Sequence, residues 1–187
     1  IAVYQITLDE KWLAKSKQLA DYAMTHFLDK KSNLFYFTSN ASNGLIARKM
    51  EIKDNVIPSS NSILAHNLFL LGHYYSNPNY SKTAEKMLNN LKGDALQSPA
   101  EYYNWLNLML NYSNNYFEVA ISGKDGLSKT SELQSYYLPN ILIAGATKES
   151  SLPILENRFM ENETYIYVCV NKACKMPETD VAVAVSK

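Results

Sequence analysis

The chain has 187 residues, of which 47% are apolar and 12% aromatic, enough to bury the core of one large domain or of a domain with an appendage. Its 18 basic residues equal its 18 acidic ones, so no positive field favours a nucleic acid or an anionic membrane as partner. No apolar run approaches the roughly 20 residues of a membrane-spanning helix, and two cysteines do not make a disulfide framework.

Tyrosine occurs 14 times, and it suits the walls of polar pockets and protein interfaces because its ring packs while its hydroxyl forms hydrogen bonds. The first ten residues, IAVYQITLDE, contain no initiating methionine, basic segment or signal core. This start predicts a piece of a longer protein and leaves the cellular location open.

The first predicted helix runs from about Leu8 to Phe27. Its N-terminus has the spacing of a capping box, in which Thr7 and Glu10 would each bond a free backbone amide. Apolar residues then recur at close to helical spacing with lysines between them, which predicts an amphipathic helix with one solvated face. Residues 28–55 lack a helical period and contain two candidate strands, LFYFTS (34–39) and GLIARKMEI (44–52), which predict a hairpin.

Three further helices are predicted in the next 60 residues. The second begins between Pro58 and Asn61, ends at Tyr75 and is apolar almost all round, which is typical of a helix buried on most sides. The third, 80–91, has a single apolar stripe. The fourth begins at the sequence SPAE (98–101), where Ser98 is the predicted N-cap, and is again nearly all apolar.

Buried and amphipathic helices therefore alternate, and we expect the second and fourth helices to be enclosed on several sides. This alternation is what a toroid of helical hairpins requires, because inner helices touch neighbours on several sides while outer helices shield one. Segments 116–123, 140–146 and 164–170 are β-branched and short, and residues 127–138 have a helical period. The order strand, helix, strand predicts a βαβ unit with parallel strands.

The turn ISGKDG (121–126) has two interpretations. It resembles a phosphate-cradling loop only loosely, since it lacks the full glycine spacing of such loops. The other interpretation is an ordinary turn from strand to helix. The tail, 178–187, adds a short strand or helix.

Three segments together resemble one known family. The stretch RKMEIKDNVIPSSNSILAHNLFLLG (48–72) is similar to a family segment that reads roughly K-x-x-D-G-A-x-P-S-G-N-S before an apolar helix. FEVAISG (117–123) looks like its E-V-x-I-x-G strand, and YVCVNKACKMPETD (167–180) looks like its Y-x-C-x-x-x-x-C-x-x-P ending. The family comprises thioredoxin-domain-containing proteins with a C-terminal six-hairpin helical toroid, and spermatogenesis-associated proteins belong to it.

The resemblance implies that this chain is a C-terminal part, with the thioredoxin-like domain upstream as a partner in the same full-length chain. The toroid resembles those of N-acylglucosamine epimerases and several glycosidases, in which inner-helix ends line a sugar pocket. Asn55, Val56 and Ser60 depart from the family's glycine, alanine and glycine, so a pocket built there would be reshaped. A closed toroid needs roughly 250 residues, which predicts an open fragment here whose bare flank would favour self-association.

The predicted ligand-binding residues are Asp54, Ser59, Asn61 and Ser62. They lie where the second helix begins, and the N-terminus of a helix offers free N–H donors and partial positive charge to a polar ligand such as a sugar. The alternative is that these side chains only cap the helix. Four acidic residues could in principle supply a glycosidase pair, but no spacing singles out two of them: Glu51, Glu101, Glu118 and Asp125.

Histidines and cysteines indicate no metal site. His66 and His73 are seven residues apart on one helix and have no evident third ligand. Cys169 and Cys174 are five residues apart, and they fit reduced structural thiols, a local disulfide, or redox or metal chemistry, in that order of preference.

The sequence thus predicts an α+β protein: residues 1–114 form a helical-hairpin segment of a partial (α/α) toroid, and residues 115–187 a small α/β unit packed on it. We expect no cofactor and no metal, and the sequence does not identify a chemical reaction.

Two functions are consistent with the sequence. The toroid binds or processes a carbohydrate-like ligand, or it is a non-catalytic interaction scaffold for the thioredoxin-like domain. The first requires inward-facing carboxylates, and the second an apolar or tyrosine-rich surface.

Overall fold

A computed structural model describes residues 1–41 and 47–187, and it contains both helices and a mixed sheet, so the predicted α+β class is confirmed. The helices are α1 (Ala2–Thr7), α2 (Lys11–His26), α3 (Ser60–Tyr74), α4 (Pro78–Gln97), α5 (Tyr103–Ser113), α6 (Gly126–Leu133) and α7 (Val181–Val185), with a 3-10 turn at Pro99–Glu101. The strands are β1 (Phe117–Ser122), β2 (Ile141–Ala146), β3 (Tyr165–Val170) and β4 (Ala173–Cys174). None of the helices in these ranges is long and apolar enough to cross a membrane.

The chain divides into two compact units. Unit 1 comprises residues 1–14, 73–76 and 114–187, and unit 2 comprises residues 15–72 and 77–113. Unit 1 contains the sheet with α1, α6 and α7, and unit 2 contains α4, α5 and most of α2 and α3.

The first predicted helix corresponds to α2, and α1 is a separate short helix before it that the sequence did not predict. Leu8 has a left-handed backbone, with φ of 54°, and its N–H donates to the Tyr4 carbonyl, which ends α1. The predicted capping box at Thr7 is wrong, because the Thr7 hydroxyl donates back to Val3 inside α1. α2 instead begins at Lys11, whose N–H donates to the carboxylate of Asp9 at 3.1 Å.

The predicted hairpin over residues 34–52 is not present in the described part of the chain. Leu28 and Phe35 form an isolated antiparallel bridge, and the Phe37 N–H donates to the Lys49 carbonyl at 2.7 Å. Residues 44–46 of the second candidate strand lie outside the described residues, and the described remainder, 47–52, is not a strand.

The third predicted helix is longer than expected. α4 starts at Pro78 behind Asn77, whose side chain accepts the N–H of Asn79 at 2.9 Å. Its apolar stripe is fully buried and consists of Tyr80, Ala84, Met87, Leu88, Leu91 and Ala95. Lysines and asparagines on the other side are exposed, so the prediction of an amphipathic helix is confirmed.

The second and fourth predicted helices differ in their exposure. α3 is buried along most of its length, as predicted, and Ile63 is its main exposed apolar residue. The prediction for α5 is wrong: only Trp105 and Leu108 are buried, and Leu110 is 59% exposed. α5 is therefore amphipathic within this chain. The prediction failed because a continuous apolar sequence does not determine how many neighbours a helix has.

The sheet of unit 1 has the strand order β2-β1-β3-β4. β1 and β2 are parallel and connected through α6, which forms the predicted βαβ unit, and β3 is antiparallel to β1. One sheet face packs with α6 and α7 into a core made of Val119, Ile121, Leu133, Ile143, Ile166, Val168, Val181 and Ala184.

Three tyrosine hydroxyls cover the outer edge of β2. Alternate residues of a strand direct their backbone groups away from the neighbouring strand, and β2 has β1 on one side only. Tyr4 hydrogen-bonds both the N–H and the carbonyl of Gly145 at 3.1 Å, Tyr74 donates to Ile143 at 2.7 Å, and Tyr116 donates to Ile141 at 3.1 Å. These bonds satisfy an edge that would otherwise be open to another strand.

Candidate functional site

Asp54 is the centre of a buried polar cluster in unit 2, which also contains Ser59, Asn61 and Ser62. One carboxylate oxygen, Oδ1, accepts the N–H of Ser59 at 2.9 Å and the hydroxyl of Ser62 at 2.7 Å. The other, Oδ2, accepts the N–H of Asn104 at 2.9 Å. Asp54 therefore binds the first turns of two helices, α3 and α5.

Ser59 and Ser62 complete the start of α3. The Ser59 hydroxyl accepts the N–H of Ser62 at 3.1 Å, the contact of an N-cap, and donates to the carbonyl of Ile52 at 2.9 Å. Trp105 donates its indole N–H to the same carbonyl at 2.9 Å. The loop before α3 is thus attached to both helices.

Asn61 joins two loop segments. Its side-chain oxygen accepts the N–H of Phe35 at 2.7 Å, and its amide nitrogen donates to the carbonyls of Phe35 and Glu51, each at 2.8 Å. This pairing copies the bonds of a β-bridge with a side chain, and it uses both donors and one lone pair of the amide.

Burial by itself would raise the pKa of Asp54, but the hydrogen bonds from Ser59, Ser62 and Asn104 outweigh it and hold the pKa below the ordinary value of 3.8. The carboxylate is therefore ionised at neutral pH. The structure brings all four predicted site residues together, and their hydrogen bonds are to the protein's own backbone and side chains. Helix capping is the chemistry that these contacts perform, and ligand binding by these residues stays a prediction.

An aromatic pocket lies beside this cluster in unit 2, with a cavity volume of about 250 Å³. Its lining consists of Ala23, Phe27, Phe35, Tyr36, Phe37, Ser60 and Leu64. None of these described lining residues carries a carboxylate. This volume lies just below the roughly 300–1,000 Å³ that is typical of small-molecule pockets. Phe37 is 68% exposed at the pocket, and the guanidinium of Arg48 stacks on the ring of Tyr36 at 4.0 Å.

The four acidic residues that could have formed a catalytic pair have separate surroundings. Glu51 accepts the N–H of Ser60, and Glu101 pairs with Lys53 at 2.6 Å on the surface. Glu118 belongs to unit 1, where it is bonded to His73, as described below. Asp125, also in unit 1, lies at the N-cap of α6 without a side-chain capping bond.

The two histidines of α3 have different partners. His66 contacts the carbonyl of Asn104 through Nε2 at 2.8 Å, and burial lowers the pKa of its imidazole. His73 Nδ1 lies 2.7 Å from Glu118 Oε1. No group of three or more metal-ligating side chains is found within residues 1–41 and 47–187.

Glu118 is a buried carboxylate in the middle of unit 1. Burial opposes its charge, but the hydrogen bond and positive charge of His73 and the N–H of Lys172 at 3.3 Å together lower its pKa. Its position on β1 is directly opposite Cys169 on β3, and opposite residues of an antiparallel pair share a sheet face.

Cys169 and Cys174 form a disulfide between β3 and β4, where the two residues are direct partners. Of the three states left open by the sequence, the local disulfide is the one the structure shows. Cys169 is buried and Cys174 is exposed. Asn171 and Lys172, which connect the strands, have φ of 51° and 68°, as a tight hairpin turn of the I′ type requires.

Arg158 lies beside both sulfur atoms and was not singled out by the sequence. Its Nη1 is 3.7 Å from Cys169 Sγ and its Nη2 is 3.4 Å from Cys174 Sγ. The guanidinium also stacks on the ring of Tyr167 at 4.7 Å. Nothing local in the sequence marks this arginine, because it lies 11 residues before the nearer cysteine and outside any strand or helix.

These observations define an α+β protein with an aromatic pocket, a surface disulfide and a buried polar cluster whose hydrogen bonds are made within the protein. No protein-family model matches the sequence. The chain is distantly homologous to spermatogenesis-associated protein 20 of Homo sapiens and of Rattus norvegicus. Each is 27% identical over 191 aligned positions, which cover 95% of this chain and 24% of the relative. The chain therefore spans about a quarter of the length of the curated relatives it matches.

Proposed function

We propose that this chain is a non-catalytic binding scaffold within a longer protein, and that its aromatic pocket receives an apolar segment from another part of that protein. The observation that carries the proposal is the composition of the pocket. Its lining is apolar and aromatic, without a carboxylate, whereas a sugar-processing site needs a pair of carboxylates.

The exposed side of α5 supports this proposal. Tyr103, Leu110 and Tyr112 on α5 and Ile63 on α3 are all more than a third exposed. Apolar surface of this kind commonly marks a protein interface. The curated relatives are about four times as long as the aligned stretch, so further chain in such a protein would be available to cover it.

The arrangement of domains in the longer protein is part of the same proposal. In it, a thioredoxin-like domain precedes this part of the longer protein, and the helices of unit 2 belong to an (α/α) toroid that helices outside this chain complete. The exposed side of α5 would then face one of those helices. Without such a neighbour, α5 would have the burial of an outer helix.

The carbohydrate-like ligand is the alternative occupant. It requires Asp54, Ser59, Asn61 and Ser62 to exchange their present bonds for bonds to sugar hydroxyls. Each of these groups is buried and already paired, and unpairing a buried polar group costs about 1–3 kcal/mol. This cost favours the scaffold.

The test is site-specific photo-crosslinking in the full-length protein encoded by the gene for this sequence. A benzophenone amino acid in place of Phe37, at the exposed wall of the pocket, should crosslink to a peptide outside these 187 residues. The same probe in place of Tyr137, which is 90% exposed in unit 1, serves as the control for random encounters.

A crosslink from position 37 only to residues 42–46 or to other residues of this chain would contradict the proposal. So would a gene that encodes nothing beyond this sequence. A thermal-shift screen of sugars on the same protein tests the carbohydrate-binding alternative. Stabilisation by a sugar that is lost in a Phe37→Ala variant would show that the pocket binds a sugar and would contradict the scaffold proposal.

A further inference from the structure

The Cys169–Cys174 disulfide of unit 1 is built asymmetrically. The Cys174 residue is exposed, whereas Cys169 is only 2% exposed. A thiolate can therefore reach only the outer sulfur, and attack on one sulfur expels the other. The buried sulfur of Cys169 is the leaving group that this geometry selects.

A buried leaving thiolate is unfavourable unless a charge compensates it. Arg158 supplies that charge, since its guanidinium contacts both sulfur atoms. No ion pair of the described residues includes Arg158, so no carboxylate competes at contact distance. Stacking on Tyr167 holds the guanidinium in place.

Glu118 is an opposing charge on the same sheet face as Cys169, because the two residues are direct partners on β1 and β3. Its carboxylate is already hydrogen-bonded to His73 at 2.7 Å and to the N–H of Lys172 at 3.3 Å. Arg158 is thus the charged group in contact with both sulfurs, and it favours the state in which they are thiolates.

We propose that Cys169–Cys174 is a dithiol-exchange site, which accepts two electrons from a dithiol reductant with Arg158 as a positioning residue for the leaving sulfur. One thiolate of the reductant attacks Cys174 Sγ, a mixed disulfide forms, and the bond to Cys169 breaks with its electron pair on Cys169 Sγ. The second thiolate of the reductant then attacks its own sulfur in the mixed disulfide and expels Cys174. The two protons released by the dithiol balance those taken up by the cysteines.

The rate of reduction of the folded 187-residue chain by dithiothreitol tests the proposal, followed by alkylation and mass spectrometry. Arg158→Gln should slow reduction about tenfold, because a charge-assisted contact to the leaving sulfur is lost. Arg158→Lys should recover part of the rate. Lys175→Gln, which removes a charge next to Cys174 and leaves Arg158 in place, is the matched control and should change the rate less than twofold.

Two further measurements distinguish a direct effect of Arg158 on the leaving sulfur from a purely structural role of this residue. In concentrated guanidinium chloride the wild type and Arg158→Gln should be reduced at the same rate. A monothiol, 2-mercaptoethanol, should give a mixed disulfide on Cys174. The proposal is overturned by an unchanged or faster rate in folded Arg158→Gln, by an adduct on Cys169, or by a disulfide that is reduced only after unfolding.

Discussion

Replacement of Asp54 by alanine is expected to lower the free energy of unfolding by about 4 kcal/mol, because three hydrogen bonds to a buried carboxylate are lost and two helices lose a cap. Ser59 N–H, the Ser62 hydroxyl and Asn104 N–H would all be left without their acceptor. Urea denaturation followed by circular dichroism measures the change.

Two milder variants keep this prediction testable if Asp54→Ala does not fold. Ser62→Ala removes one of the three bonds and should cost about 1 kcal/mol. Ser60→Ala is the control, since its side chain is exposed at the adjacent position, and it should change stability by less than about 0.5 kcal/mol. Equal stability of Asp54→Ala and Ser60→Ala would show that the cluster does not stabilise the fold.

The contribution of Asp54 also depends on pH with a defined sign. Its pKa in the folded state is lower than the ordinary value of 3.8, so folding favours the ionised form. The stability difference between the wild type and Asp54→Ala should be fully present above the ordinary pKa. It should shrink as the pH falls from there through the lowered pKa of the folded state.

Replacement of Gly123 by alanine is expected to destabilise unit 1 by about 3 kcal/mol, since the residue combines an unfavourable backbone with no free space. Its φ is 142°, a conformation that favours glycine. A Cβ atom there would lie 2.4 Å from Thr164 Oγ1, 2.5 Å from Thr164 Cα and 2.6 Å from the Glu163 carbonyl. Thermal unfolding by differential scanning calorimetry measures the loss.

Gly93→Ala is the matched control for the glycine prediction. Gly93 lies inside α4, and nothing is within 4 Å of the position that its Cβ would occupy. Alanine there should stabilise the protein by about 0.5–1 kcal/mol, because it restricts the unfolded chain and favours the helix. A destabilisation of the same size in both variants would mean that the close contact at Gly123 has no energetic consequence.

The turn at Gly123 also bears on the two interpretations of ISGKDG. Gly123 N–H donates to Ala146, Asp125 N–H to the Thr164 hydroxyl, and Gly126 N–H to Gly123. These amides are used within unit 1, which favours the ordinary turn from strand to helix over a phosphate-binding loop.

Local patterns were sufficient for the α+β class and for the βαβ unit. The buried strands around Val119 and Ile143 are short, β-branched and bounded by turn residues, so their type follows from a few neighbouring side chains. Local patterns were misleading at SPAE. Pro99–Glu101 form only a 3-10 turn, and Ser98 makes no side-chain capping bond.

Long-range contacts explain what the sequence could not predict. The first turn of α5 is capped by Asp54, 50 residues before Asn104, and no window of neighbouring residues contains both. The same holds for Arg158 and the cysteines, and for the tyrosines that cover β2 from up to 141 residues away. The four predicted site residues lie together because they are close in the chain. Their hydrogen-bond partners include residues that are distant in sequence, such as Asn104 for Asp54, and local patterns do not predict these partners.

The scaffold proposal is tested most directly by hydroxyl-radical footprinting of the isolated 187-residue chain and of the full-length protein. Phe37 and Leu110 should be oxidised roughly fivefold more slowly in the full-length protein, because another part of it covers them. Tyr137 and Met176, which are exposed in unit 1, provide the reference rates. Equal oxidation of Phe37 and Leu110 in both proteins would contradict the proposal, since the pocket and the outer side of α5 would then face water in the intact molecule.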